Sequence, residues 1–243
     1  MKLPKKPEYF AGIKVDGAYE RFKKLEEEEK AKSKDEIKLD SSPANINNYI
    51  YVPPVNLYIA KQRTHLGANW YDCHKQLHQE NLLMPTILQF IAYINYLKQN
   101  PNGIPSGDAS KQEIESILDD ILTVRDPWRA EWFDAFFTKQ SNKLYINYNH
   151  KTDSSGNLTP QNSEILEKCL MEDCYADVLN GNKQGLPLRK LTHDNGGIYY
   201  WHPIENYVAA FGAGSGGGSD LECGRDPSVS VASLGVFASF QRS

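Results

Sequence analysis

Phe211-Gly212-Ala213-Gly214-Ser215-Gly216-Gly217-Gly218-Ser219-Asp220-Leu221-Glu222-Cys223-Gly224-Arg225-Asp226-Pro227 is an unusual run for the interior of a globular chain. Residues 212–235 hold seven Gly and five Ser in 24 positions. A linker left by cloning would not be followed by strand-like residues, and here Ala232-Ser233-Leu234-Gly235-Val236-Phe237 follows. A phosphate-cradling loop needs Lys-Ser/Thr after the glycines and a strand–glycine–helix context, and neither is present. A flexible loop remains open as a reading of the glycines alone. The residues from 220 onward favour an extended chain with two unlike sides. Leu221 and Cys223 face one way, while Asp220, Glu222, Gly224 and Asp226 face the other. One side is framework and the other is a surface of small and acidic residues. Such a surface on a rigid frame can vary without loss of the core, which is what an adaptable recognition site requires.

Outward from this segment, Ile198–Trp201, Tyr207–Phe211, Asp220–Gly224 and Leu234–Phe240 read as strands. Glu131–Phe137 and Lys143–Asn149 are aromatic and β-branched around the polar Lys139-Gln140-Ser141-Asn142, a hairpin signal. Asp153-Ser154-Ser155-Gly156-Asn157 is a turn, Ser163–Leu170 reads as a short helix, and Gly185–Asp194 as irregular. Further upstream the pattern is helical. Asn56–His65 and Ala68–Glu80 read as two short helices separated by Gly67. Thr86 and Gln89 have capping-box spacing ahead of a stripe of Ile87, Phe90, Ile91, Ile94 and Leu97. Ser110 and Glu113 repeat the box ahead of Ile114, Ile117, Leu118, Ile121 and Leu122. Asn100-Pro101-Asn102-Gly103 and Pro127 end these helices, and Pro43, Pro53 and Pro54 precede them as breakers. Helices first and strands afterwards predict an α+β chain rather than an alternating doubly wound sheet. Residues 17–40 are rich in Lys and Glu and read as a solvated arm or frayed helix, with partner docking as the alternative.

Composition bounds the chemistry. The chain has 243 residues, 40% hydrophobic and 24% charged, an ordinary globular balance. The net charge of −4 disfavours a general electrostatic grip on nucleic acid. The N-terminal Met1-Lys2-Leu3-Pro4-Lys5-Lys6-Pro7 lacks the apolar run of a secretory signal, and no apolar stretch approaches the roughly 20 residues of a membrane helix. Four cysteines, Cys73, Cys169, Cys174 and Cys223, show neither zinc-ribbon nor Cys-x-x-Cys spacing. The expectation is a soluble protein of a reducing compartment, cytoplasmic or carried in a virus particle.

Three constellations invite an enzymatic reading. His74 and His78 lie one helical turn apart and could share a metal, but His74-Lys75-Gln76-Leu77-His78 lacks the metalloprotease Glu. Surface or half-buried histidine is the expectation there. Cys169 and Cys174 diverge on a helix and read as semi-buried cysteines. Glu172, Asp173 and Asp177 form an acidic cluster without a partner nucleophile and read as a solvated loop. Asp126-Pro127-Trp128 and Trp132 read as hairpin packing. No metal or other cofactor is expected.

The segments Phe211–Ser215, Leu221-Glu222-Cys223-Gly224-Arg225-Asp226-Pro227-Ser228 and Ser233-Leu234-Gly235-Val236 together resemble the variable region of variable proteins from diversity-generating retroelements, in particular the archaeal and archaeal-virus group. Members of that group end in a comparable Leu-Gly-Val or Leu-Gly-Phe strand. Met84-Pro85-Thr86 ahead of a helix is similar to their Leu-Pro-Thr helix start, and Tyr199-Tyr200-Trp201 is similar to the strand before their variable region. The likeness runs from about residue 50 to the end.

The resemblance implies a C-type lectin-like domain, close to formylglycine-generating enzymes, over residues 46–243, with a variable region about 212–231; the charged residues 1–45 before it read as an N-terminal arm or helix. Helices would precede an antiparallel, hairpin-rich C-terminal half. It also implies diversification by an error-prone reverse transcriptase that randomises adenines, chiefly in Asn codons. Gly212, Gly214, Gly216, Gly217, Ser219, Asp220, Gly224, Asp226, Val229 and Val231 are permitted products of such a codon. Glu222 is not, although it belongs to the same face. These eleven residues are the expected ligand-binding positions, supported by Trp201, Phe211, Leu221, Cys223, Leu234 and Val236. The implied protein is a non-enzymatic receptor for a protein or surface ligand, with no nucleic-acid partner and no membrane span. The enzymatic alternative is a formylglycine-generating or other metal-dependent enzyme on the same fold. The former needs a cysteine pair near the C-terminus, where Cys223 stands alone after Cys174. No Glu-Pro-Asn or Trp-Asn-Asp motif supports lectin-type calcium binding.

Overall fold

In the computed structural model of the chain, the described residues are 9–10, 13–14, 45–153, 155–214 and 218–241. The chain divides into two units, Met1–Asp40 and Ser41–Ser243. In the first, Tyr9–Phe10 (β1) pairs antiparallel with Ile13–Lys14 (β2). The charged run Arg21–Lys34, read above as an arm, lies outside the described residues.

The second unit is mixed α+β and richer in strand than in helix. Its order is Tyr49–Val52 (β3), Leu57–Ala60 (β4), Trp70–Gln79 (α1), Ile87–Gln99 (α2), Lys111–Leu122 (α3), Arg129–Gln140 (β5), Lys143–Thr152 (β6), Leu158–Ile165 (β7), Cys174–Ala176 (β8), Ile198–Trp201 (β9), Val208–Gly214 (β10), Gly218–Arg225 (β11), Leu234–Gly235 (β12) and Ser239–Gln241 (β13). The large sheet runs β7-β6-β5-β10-β11-β9-β8, and the small one β13-β4-β3. Strand β5 carries β10 along one edge, while its other edge is shared by β6 over 136–140 and by β12 over 130–131. Among the described residues, no helix is long and apolar enough to cross a membrane.

Both capping boxes form as the spacing predicts. The Gln89 amide donates to Thr86 Oγ1 at 3.3 Å and the Thr86 amide donates to Gln89 Oε1 at 2.8 Å. Ser110 and Glu113 repeat the exchange at 3.3 and 2.8 Å. Each box satisfies two amides that a helix start would otherwise leave open. Thr86→Ala is therefore expected to cost about 0.5–2 kcal/mol, measured by urea unfolding. Thr86→Ser restores the oxygen and is expected to recover most of the loss, and a Ser variant no better than Ala would show that the cap contributes little. The apolar stripes behind the caps are the buried ones: Ile87, Phe90, Ile91, Ile94 and Leu97, and then Ile114, Ile117 and Ile121.

Two helices expected from the sequence are not formed. The first half of Asn56–His65 is strand β4, because Asn56 adopts a left-handed φ of 51° that folds Leu57–Ala60 back along β3. Strand β13 then pairs along the other edge of β4. Ser163–Leu170 is not a helix either. Strand β7 runs to Ile165, held by β6, and the Leu166 amide donates to Leu144 O at 2.8 Å. Its polar, exposed residues follow neither a helical nor a clean strand period, so only the partner strand decides.

Neighbouring residues of the central strands enter two separate cores. Phe133, Phe211, Leu221, Tyr200 and Phe237 pack with Phe90 and Ile94 of α2. Trp132, Ala210, Leu234, Val236 and Phe240 pack with Trp70, Cys73 and Leu77 of α1. The indole of Trp70 donates to Phe133 O at 2.8 Å and that of Trp132 to Ala68 O at 3.1 Å, so both large rings are buried with their polar atoms satisfied.

Candidate functional site

Strand β11 lies between β10, antiparallel, and β9, parallel. Its alternation sorts the glycine-rich segment into two sides. Phe211, Leu221 and Tyr200 stand in register across the three strands and all are fully buried, as is Cys223. On the opposite side Gly212, Asp220 and Tyr199 stand in register, and beside them Ala210, Glu222 and Trp201. Asp220, Glu222 and Gly224 are half-buried there.

The outer side has a defined chemistry. The Trp201 ring is 42% exposed, and its indole donates to Asp220 Oδ2 at 3.3 Å. The rings of Tyr199 and Trp201 lie 5.1 Å apart, and Tyr175 of β8 meets Tyr199 edge-on at 5.1 Å. Arg225 forms an ion pair with Glu222, and its guanidinium lies over the Trp128 ring at 4.8 Å. Burial, and then the neighbouring Glu222 charge, push the Asp220 carboxyl above the usual carboxylate range. The face thus joins an aromatic stripe, Tyr175-Tyr199-Trp201, to two carboxylates, an arginine and a lane of glycine. Trp201 was expected to support the frame from within, but it stands on the outer face because it alternates with the buried Tyr200.

The eleven expected binding positions do not share one setting. Gly216 and Gly217 lie outside the described residues. A Cβ at Gly212 would meet Asp220 Oδ1 at 2.5 Å and one at Gly224 would meet Ile204 Cδ1 at 2.9 Å, both the ends of side chains that can swing aside. A Cβ at Gly214 would meet Trp128 Cβ at 2.8 Å, and there the indole's own root must shift. Ser219 shares the inward side of Leu221, and its hydroxyl donates to Leu122 O at 2.7 Å, at the end of α3. Asp226 is exposed and turns the chain, accepting from the Ser228 amide at 2.8 Å and hydroxyl at 2.7 Å. Val229 and Val231 pack half-buried against the second core.

The other sequence candidates resolve differently. His74 was expected at or near the surface, but it is fully buried, because it occupies the inward stripe of α1 with Trp70, Cys73 and Leu77. His78 is half-buried, with Nδ1 hydrogen-bonded to the Thr152 hydroxyl at 2.8 Å. The acidic cluster is dispersed into pairs: Glu172 with Lys190, Asp173 with His202 and Asp177 with Arg189. All four cysteines are free, and burial raises the Cys223 thiol well above its ordinary range, which makes it a poor nucleophile.

One constellation escaped the sequence reading. Asp134 of β5 and His150 of β6 meet His74 in the interior. The His150 ring donates through Nδ1 to Asp134 Oδ1, and its amide donates to Asp134 Oδ2 at 3.0 Å. His74 Nε2 lies 3.6 Å from the same Oδ1, too far for a hydrogen bond, and neither nitrogen of His74 has a hydrogen-bond partner among the described residues. Leaving such a group unpaired costs about 1–3 kcal/mol. The available signal was an aspartate inside the apolar run Trp132-Phe133-Asp134-Ala135-Phe136, a position where strand alternation alone gives no reason for a charge. Comparison with protein-family models, curated proteins and solved structures found no match to this chain.

Proposed function

We propose that the protein is a ligand-binding receptor that presents a diversified face on a C-type lectin-like scaffold, with residues about 212–231 as the segment rewritten by adenine-directed retroelement mutagenesis. The observation that carries this reading is the alternation on β10 and β11. Phe211, Leu221 and Cys223 are fully buried, while Gly212, Asp220, Glu222 and Gly224 line the other side. Variation at those four positions leaves the packing of Phe211, Leu221 and Cys223 in the first core untouched. The aromatic stripe Tyr175-Tyr199-Trp201 beside it gives the face fixed anchors of the kind that carry binding energy, while the glycine lane contributes little of its own. Binding by this glycine-rich sequence is therefore weak, and it strengthens when side chains fill the lane. The ligand is a protein or another surface, and no catalytic step is assigned.

Amplicon sequencing of the coding segment across a natural population tests the proposal without knowledge of the ligand. Adenine-directed substitutions are expected within 212–231, with Leu221, Cys223 and Leu234 constant. The widest variety is expected at Gly212, Asp220 and Gly224. Ser219 is expected to stay small because its hydroxyl is tied to α3. A uniform segment, or changes scattered without regard to adenines, would overturn the reading.

A further inference from the structure

We propose that His74, Asp134 and His150 form a binding site for one divalent transition-metal ion, with Zn²⁺ as the reference cation, that staples α1 to the β5–β6 hairpin. The three residues offer two imidazoles and one carboxylate, and their ligand atoms all lie within 4.8 Å of one another. Four-coordinate zinc with bonds of about 2.0–2.2 Å spaces its donors roughly 3.3–3.5 Å apart. His74 Nε2 and Asp134 Oδ1 are 3.6 Å apart, already at that spacing. To admit the ion the closer His150–Asp134 contact opens to that same spacing, and His150 Nδ1, which donates to Asp134 in the absence of metal, gives its proton up to Nε2 or to solvent.

The surroundings distinguish this cluster from ordinary packing. His74 is 1% exposed and both of its ring nitrogens lack a hydrogen-bond partner among the described residues. It packs edge-on against Trp70 at 4.4 Å, a place that phenylalanine would fill without an unpaired polar atom. An imidazole nitrogen with no hydrogen-bond partner keeps its lone pair available, and that is the form that ligates a metal. Asp134 supplies the counter-charge and is itself fixed by the His150 amide. The position of His150 is set by the backbone. The β5–β6 ladder ends at Phe136 and Asn147, and Asn149 takes a left-handed φ of 55° just before the histidine. His78, whose ring lies 5.8 Å from that of His74, also lines an open cleft of about 530 Å³ with Lys75, Gln79 and Thr152. It is the next imidazole available to the ion's fourth position.

The test is titration of the full chain, stripped with chelator, with Zn²⁺ and with Co²⁺ as a visible probe. One equivalent of either ion is expected to bind saturably, to raise the melting temperature, and with Co²⁺ to give the intense visible absorption of a four-coordinate site. Even partners outside the first coordination shell are worth about 10–100-fold in affinity, so His74→Ala and His150→Ala are each expected to weaken binding by roughly 100-fold or more. Should those variants fold poorly, nitrogen NMR of the native chain gives the same answer. The ring nitrogens of His74 and His150 shift on Zn²⁺ addition, while those of His65, His193 and His202 do not. Absence of saturable binding, unchanged affinity in folded variants, or a response confined to His193 and His202 would overturn the proposal.

Discussion

Arg63→Ala is expected to lower the free energy of unfolding by about 3–5 kcal/mol, the range for removing one partner of a buried ion pair. Arg63 is nearly buried. Its Nε donates to Glu131 Oε2 at 2.8 Å, one terminal nitrogen reaches Asp120 Oδ2 at 2.8 Å and Asp120 O at 2.9 Å, and the guanidinium lies 5.3 Å from the centre of the Phe237 ring. Glu131 is buried in β5, and burial raises its carboxyl to about 7 in spite of Arg63. A raised carboxyl binds protons more tightly folded than unfolded. Its contribution is therefore complete below the ordinary carboxylate value of about 4.3 and is lost as pH rises through about 7. Without Arg63 the carboxyl rises further, so the deficit of the variant grows with pH. Urea unfolding at about pH 4 and about pH 8 brackets the window. Glu131→Gln in the Arg63→Ala background removes the titrating group and is expected to flatten the pH dependence. A deficit below about 1 kcal/mol, or one equal at both pH values, would show that the network is solvated rather than buried.

The second large effect separates the frame of the glycine-rich segment from its face. Leu221→Ala is expected to cost about 2–5 kcal/mol, because the side chain is fully buried among Phe211 and Tyr200 and the cavity it leaves cannot collapse across three paired strands. Gly212→Ser and Gly224→Ser, on the same two strands, are expected to change stability by about 0.5 kcal/mol or less. At each, the new atom displaces only the end of Asp220 or of Ile204. Gly218→Ser is expected to cost about 1–3 kcal/mol in spite of open space around it, because its φ of +87° suits few side chains. Denaturant unfolding of the four variants gives the comparison directly. If Gly212→Ser were as costly as Leu221→Ala, the outer side would be part of the core and the receptor reading would fail.

What could be read from the sequence was whatever depends on near neighbours. Thr86 with Gln89, and Ser110 with Glu113, announce helix starts because the bonds they make span three residues. The alternation of Leu221 and Cys223 against Glu222 and Gly224 is equally local. Strand β4 was hidden because Leu57–Ala60 owes its form to partners at 49–52 and 239–241, and β7 because its polar residues are held only by β6. His74 was visible as a residue but not as a site. Its companions stand 60 and 76 positions later, so only the packing of α1 on the hairpin brings the three together.

Strands β12 and β13 follow the glycine-rich segment in the chain, yet they finish both sheets: Leu234–Gly235 closes onto β5, and Ser239–Gln241 onto β4. A polypeptide emerging from the ribosome cannot seal the second core until Leu234, Val236 and Phe240 have been added. A stop codon or frameshift anywhere in 212–233 deletes those residues and leaves Trp70 and Trp132 without their cover. Such a product is exposed to proteases from the moment of its synthesis. Closure of the second core by residues at the far end of the chain thus makes the finished fold depend on an unbroken reading frame through the glycine-rich segment.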